Sequence, residues 1–148
     1  MKVKEVMSIG VVSASTTESA RSVVAKMLTR RCGAIPVADE GGRLLGIVTL
    51  RDVMLPIYPN YAEYVHDPAK SRDFLEIEKN YSLVLGKTVA EIMYPKPMFV
   101  TPETPVMEAA SYMGLKNLRR MPVVEDGRLV GMVSIGDINR GLFFARSG

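Results

Sequence analysis

Apolar residues follow two rhythms along this chain, and the pair of rhythms runs through twice. Ala20, Val23, Val24, Met27 and Leu28 fall at i, i+3, i+4, i+7 and i+8, the stripe of one helix face. Short β-branched runs then take over, Pro36 to Ala38 and Leu44 to Val48, separated by an acidic and glycine-rich stretch, Asp39 to Gly42. This order predicts a helix over Ser15 to Arg31, capped by Ser15 with Glu18, and after it an antiparallel hairpin. The helical stripe returns in Val106, Ala109, Ala110 and Met113, entered by Thr104 as N-cap and Pro105 as first helical residue. A second hairpin follows: Pro122 to Val124, a turn at Glu125 to Gly127, and Leu129 to Val133. Both helices close on basic residues, Arg30-Arg31 and Lys116, which suit the negative end of the helix dipole.

The two passages agree residue by residue. I-P-V-A-D-E-G-G-R-L-L-G-I-V-T-L-R-D, from Ile35 to Asp52, returns as M-P-V-V-E-D-G-R-L-V-G-M-V-S-I-G-D, from Met121 to Asp137. Arg43 and Arg128, Gly46 and Gly131, Thr49 and Ser134, and Asp52 and Asp137 each stand 85 residues apart. Upstream, K-E-V-M (Lys4 to Met7) is echoed by A-E-I-M (Ala90 to Met93), a short helical turn in both copies, with Thr88 and Glu91 in capping-box spacing. A first strand is expected at Ile9 to Ser13 and at Met98 to Thr101. A second helix is expected after Thr49 and after Ser134, and the former has to stop before Pro56. Each unit therefore reads β-α-β-β-α. The fold expected is α+β, two copies packed as a pseudo-twofold pair, with a crevice between them as the place to look for function. Residues 1–55 carry the first copy and 87–148 the second.

Residues 56–86 have no repeat partner. Pro56, Pro59, Asn60 and the tyrosines Tyr58, Tyr61 and Tyr64 make an irregular start. Asp67-Pro68 reads as a helix entry. Phe74, Ile77 and Tyr81 would line one face of that helix, and Gly86 would end it. A packed spacer is the plain reading; a lid and a dimer contact are the alternatives.

Composition narrows the function. The 148 residues suffice for a core, and 47% hydrophobic with 24% charged residues is the balance of a soluble globular protein. No apolar run approaches the roughly 20 residues of a membrane span, and M-K-V-K-E-V-M lacks the apolar stretch of a signal peptide. The single cysteine, Cys32, excludes an intramolecular disulfide and fits a reducing cytoplasm. The single histidine, His66, argues against a histidine-rich metal site and a histidine-based triad. Cys32 and His66 sit in unrelated segments with no third group to orient them, so no catalysis is expected. A net charge of +3 suits an anionic ligand. A pI near 9.1, with arginine pairs at Arg30-Arg31 and Arg119-Arg120, raises nucleic-acid binding as an alternative, but no nucleic-acid signature accompanies them.

The closing heptapeptides, G-I-V-T-L-R-D (Gly46 to Asp52) and G-M-V-S-I-G-D (Gly131 to Asp137), preceded by A-I-P-V and R-M-P-V, resemble the signature of cystathionine-β-synthase (CBS) domains. The resemblance covers nearly all of the chain outside 56–86. It implies a tandem pair packed sheet to sheet, up to two clefts for adenosine-containing ligands, and a homodimer. The role implied is a non-catalytic sensor of AMP, ADP or ATP, with S-adenosylmethionine ranked behind them, that changes conformation and acts on a separate protein partner. A ligand-free dimerisation module is the alternative.

On this resemblance the candidate residues take roles. Asp52 and Asp137 would accept hydrogen bonds from ribose hydroxyls. Thr49 and Ser134 stand at helix starts, where free backbone N–H groups favour phosphate. Arg119 and Arg120 would add positive charge. Ile35, Met121, Ile47 and Met132, with Pro36 and Pro122, would flank the base, and Ser13 and Thr101 would touch base or sugar. Each reading has a structural rival. Thr49-x-x-Asp52 and Ser134-x-x-Asp137 are also capping boxes, and the apolar four are by default core. The first copy has Gly33 and Ala34 where the second has Arg119 and Arg120, so the second is expected to hold the stronger site. Gly136 in place of Arg51 would let a ligand approach the second helix start closely.

Overall fold

The computed structural model describes residues 1–58 and 75–148. Asp67-Pro68, Phe74, His66, Tyr61 and Tyr64 lie outside the described residues. The fold is α+β, and the chain divides into two compact units that do not coincide with the two halves of the sequence. One comprises residues 14–37 and 47–94, and the other 1–13, 38–46 and 95–148. They are called here the first-repeat and second-repeat units. Among the described residues, no helix is long and apolar enough to cross a membrane.

In the first-repeat unit, α1 (Ala20–Arg30) begins four residues later than its sequence pattern suggests. Ser19, not Ser15, is the N-cap, its hydroxyl accepting from the Ser22 N–H at 3.1 Å. Glu18 is drawn instead to Lys26, 2.7 Å away. Ala20, Val23, Val24 and Met27 are buried, whereas Leu28 is 73% exposed, so the stripe is narrower than the periodicity implied. Arg31 ends the helix in the left-handed conformation (φ 51°). β1 (Ala34–Ala38) and β2 (Leu44–Thr49) form the expected hairpin, of which residues 38–46 are counted with the other unit, and a two-residue β3 (Tyr94–Pro95) extends the sheet in the order β1-β2-β3. α2 (Leu50–Met54) passes into a 3₁₀ turn at Leu55–Ile57, so Pro56 ends the α-helix as expected. α3 (Tyr81–Leu85) stops at Gly86 and packs against α1 and α2, and α4 (Val89–Ile92) packs against α1. Thr88 caps α4 only in position: its hydroxyl meets the Glu91 carboxylate at 3.2 Å rather than a backbone N–H.

In the second-repeat unit, α5 (Val106–Lys116) ends at Asn117 in the left-handed conformation (φ 54°). Thr104 does not cap it. The Thr104 hydroxyl accepts from the Thr101 N–H at 3.0 Å and bonds the Thr101 hydroxyl at 3.1 Å. β4 (Arg120–Glu125) and β5 (Arg128–Ser134) pair antiparallel, Arg120 opposite Ser134 and Pro122 opposite Met132. Asp126 and Gly127 turn the hairpin with φ of 53° and 79°, the two positive values a tight hairpin turn requires. α6 (Ile135–Arg146) follows β5 directly. Val3, Val100, Val106, Ala109, Met113, Met121, Val123, Val133 and Ile138 form the core of this unit; burying each of the valine, methionine and isoleucine side chains contributes about 1.5–3 kcal/mol.

The first strand expected in each copy is reduced to one bridging residue. Ala14 bridges Val37 and Val100 bridges Val123, both in parallel, while Ile9 to Ser13 and Met98 to Phe99 stay outside any strand. What holds the leading segments is a set of backbone bonds made twice. The Val3 N–H donates to Thr104 O, Lys4 to Pro102 O and Val106 to Met1 O, all in the second-repeat unit. Shifted by 86 residues, Val89 donates to Glu18 O, Ala90 to Thr16 O and Ala20 to Lys87 O in the first-repeat unit. Each repeat's leading turn thus completes the unit built around the other repeat.

Candidate functional site

The motif ends of the two repeats fold alike. In the first, the Leu50 N–H donates to Gly33 O at 3.1 Å; in the second, Ile135 donates to Arg119 O at 3.0 Å. These equivalent bonds tie the start of each motif helix to the residue ahead of the first strand of its hairpin, β1 or β4. They also make Gly33 and Arg119 structural equivalents.

Both aspartates serve their own helix starts. In α2 the Asp52 Oδ2 accepts from the Thr49 N–H at 2.7 Å and from the Thr49 hydroxyl at 2.9 Å, while the Asp52 N–H donates to Thr49 Oγ1 at 3.3 Å. In α6 the Asp137 Oδ2 accepts from the Ser134 N–H at 2.9 Å, and the Asp137 N–H donates to Ser134 Oγ at 2.9 Å. The capping reading holds in both repeats. It uses only Oδ2 of each carboxylate, and there the copies diverge. Asp52 Oδ1 has no hydrogen bond among the described residues. Asp137 Oδ1 accepts from Arg140 Nη2 at 2.9 Å, with the Arg140 side chain 65% exposed and that of Asp137 14%.

The hydroxyls diverge in the opposite sense. Thr49 donates its hydroxyl proton to Asp52, whereas the Ser134 hydroxyl accepts from Asp137 and keeps its proton for another acceptor. The first repeat therefore offers an open carboxylate oxygen, and the second offers donors. Arg119 and Arg120 are exposed and, among the described residues, form no ion pair. The Gly136 N–H, in the first turn of α6, has no acceptor within its helix.

Strand alternation sorts the apolar candidates. Met121 is fully buried in the core with Met113, Val133 and Ile138, so it lines that core rather than a base. Arg120, Pro122, Met132 and Ser134 alternate with it and share the opposite face of the hairpin. Ile35, the equivalent of Met121, is likewise buried and alternates with Ala34 and Pro36. Ile47 and Met132 are buried near the motif ends. Thr101 is exposed, its hydroxyl shared with Thr104, and exposed Ser13 belongs to the second-repeat unit, not to the unit of Asp52.

Arg140 is absent from the residues the motif singles out. Its signal was available in the spacing, because a basic residue three positions after an acidic one shares its helix face. Its repeat equivalent is Leu55, so only the second copy can make this pair.

Comparison with known proteins agrees with this architecture. The CBS domain family model matches residues 3–57 and 89–143. An uncharacterised Bacillus subtilis protein, YlbB, is 30% identical over 139 residues, 93% of this chain and 80% of its own. The B. subtilis CBS domain-containing protein YhcV is 28% identical, over 92% of this chain and 81% of its own. Among solved structures, CBSX2 in complex with AMP superposes with a TM-score of 0.77 at 25% identity, over 98% of both chains. The CBS domain pair of MJ0100, in complex with 5′-methylthioadenosine and S-adenosyl-L-methionine, gives 0.71 at 26%, over 96% of this chain and 99% of its own. With two matched motifs, two equivalent motif ends and these relatives, the chain belongs to the CBS domain family and carries two CBS domains.

Proposed function

We propose that this protein is a regulatory module that binds an adenosine-containing ligand, an adenine nucleotide in first place, and passes the binding event to a separate partner by a change of conformation. The observation that carries this reading is the end of β5 in the second repeat. Arg119, whose carbonyl accepts from the Ile135 N–H, and Arg120, opposite Ser134 in the hairpin, form no ion pair among the described residues, and beside them stand the Ser134 hydroxyl, the Gly136 N–H and the Asp137 carboxylate. Cationic and backbone donors suit phosphate, and a carboxylate suits a sugar diol. The complexes of CBSX2 with AMP and of MJ0100 with methylthioadenosine and S-adenosylmethionine support the adenosine class. In the first repeat, Asp52 Oδ1 offers the sugar acceptor without the arginines. Residues 1–55 and 87–148 act as the two CBS domains of the module, with 56–86 as their connection.

Calorimetric titration with AMP, ADP, ATP and S-adenosylmethionine tests the proposal. A saturable heat from at least one nucleotide is expected; silence from all four overturns it. A homodimer is proposed as the working form, supported by apolar side chains left exposed on the motif helices: Leu50 and Leu55 beside Asp52, and Phe143 and Phe144 on α6. Native mass spectrometry reads the stoichiometry, and a purely monomeric spectrum overturns that part.

A further inference from the structure

We infer that the two repeats take different members of the adenosine class: the second takes nucleotides, and the first takes adenosines whose 5′ end carries no charge. The inference rests on the reading of Arg119 and Arg120 as phosphate contacts and follows from what stands in their place. Gly33 and Arg119 are equivalent through their carbonyls, which accept from the Leu50 and Ile135 N–H groups. Ala34 opens β1 as Arg120 opens β4. The first repeat thus has no side-chain donor at two positions that carry a guanidinium each in the second. Its border there is aliphatic: a Cβ on Gly33 would lie 3.5 Å from Leu50 Cδ1, and Leu50 is half exposed.

The other donors at the start of α2 are engaged. Gly33 O holds the Leu50 N–H, Asp52 Oδ2 holds the Thr49 N–H and hydroxyl, and Thr49 Oγ1 holds the Asp52 N–H. Arg51 is left, the one arginine on α2, and its charge offsets that of Asp52. Arg30 and Arg31 belong to the end of α1, as Lys116 belongs to the end of α5. In the second repeat Arg140 already pairs with Asp137, and Arg119 and Arg120 form no ion pair among the described residues. A phosphate brought to the first repeat would exchange water for an aliphatic side chain and one arginine, and a charge desolvated without full compensation binds poorly. A neutral 5′ group escapes that cost. A methylthio group also gains contact with Leu50, while Asp52 Oδ1 accepts from the ribose.

The experiment is calorimetric titration of AMP and of 5′-methylthioadenosine into the full chain. Asp137→Ala leaves the first repeat to be read, and Asp52→Ala leaves the second. The first repeat is expected to prefer methylthioadenosine by about tenfold, and the second to prefer AMP by about as much, the weight of one charge-assisted hydrogen bond. Ala34→Arg should raise the AMP affinity of the first repeat by about tenfold and leave methylthioadenosine within about twofold. Leu50→Ala should weaken methylthioadenosine by about three- to fourfold, the weight of one buried methyl-sized group, and spare adenosine. A first repeat that binds AMP as tightly as methylthioadenosine, or binds neither while the second still binds AMP, overturns the inference and leaves the nucleotide reading standing. Indifference of AMP in the Asp52→Ala chain to Arg119→Ala and Arg120→Ala overturns the two together. Asp137→Asn, which keeps an oxygen for the α6 cap, gives the first background again should Asp137→Ala unfold, and thermal unfolding checks every variant.

Discussion

Asp137 caps α6 and is proposed to accept a sugar diol, and a substitution can separate the two roles. Its Oδ2 caps α6, and removing a cap costs about 1 kcal/mol. Asp137→Ala should therefore lower thermal stability and weaken nucleotide binding by about ten- to hundredfold, the weight of one or two charge-assisted hydrogen bonds. Asp137→Asn keeps an oxygen for the Ser134 N–H but loses the charge; stability should stay close to wild type while affinity falls. Calorimetry beside thermal unfolding reads both. A second residue-scale case is Glu103, which receives the ammonium groups of Lys2 and Lys4. Hydrogen bonds from Lys2 and Lys4 lower its carboxyl from 4.5 to about 2. A lowered carboxyl contributes stability above its unfolded value, lost as pH falls through the folded one. Glu103→Gln should thus flatten the stability profile between about pH 4.5 and pH 2, and added salt should mimic the substitution because the pair is exposed. At this scale the motif spacing placed the Thr49–Asp52 and Ser134–Asp137 pairs at helix starts, but not how their oxygens are shared. Capping and ligand contact ask for the same residue types at the same spacing. The Arg140 pair needed only an i, i+3 reading, yet it lies outside the repeated motif and so drew no notice.

Hairpins and helices were the most legible elements, because turn chemistry and periodicity are local. Both hairpins occur where the pattern placed them, each preceded by its helix (α1, α5), α1 with a later start, and Pro56 stops α2. Helix starts were less legible. Ser15, Ser19 and Thr104 are all hydroxyl residues ahead of an apolar run, and tertiary bonds decide among them: the Thr104 hydroxyl is held by Thr101, while Ser19 is left to cap. The first strands were over-read, since a short apolar run cannot say whether its neighbour offers a ladder or a single bridge. Two glycines on second-repeat elements give opposite predictions. A Cβ on Gly131 would come within 2.5 Å of Ser8 O, backbone that cannot step aside. Gly131→Ala should cost about 1–3 kcal/mol, seen as a fall in the thermal midpoint. A Cβ on Gly136 would meet only the Ser134 Oγ, at 3.6 Å. Gly136→Ala should therefore fold at least as stably as wild type, and weakened nucleotide binding in that variant would mark close ligand approach to its N–H.

Each repeat lends its leading segment to the unit built around the other. Val3 is fully buried in the second-repeat core although it belongs to the first repeat in sequence. Deleting residues 1–7 should therefore loosen α5, β4 and β5, with faster amide exchange at Thr104, Val106 and Met132, while α1 and α4 keep their protection. Equal loosening of both units would contradict the assignment. The echo of K-E-V-M by A-E-I-M disclosed that a segment was repeated, yet nothing in a repeat says which copy it docks on, because that choice is made by contacts distant in sequence. The exchange has a consequence for how such a chain can arise. A polypeptide holding one repeat would find no seat for its leading turn except on a second identical polypeptide, so it would exist as a concentration-dependent pair. Joining the two in one gene holds the seat and the turn at an effective concentration on the order of millimolar, and fusion thereby makes folding independent of dilution.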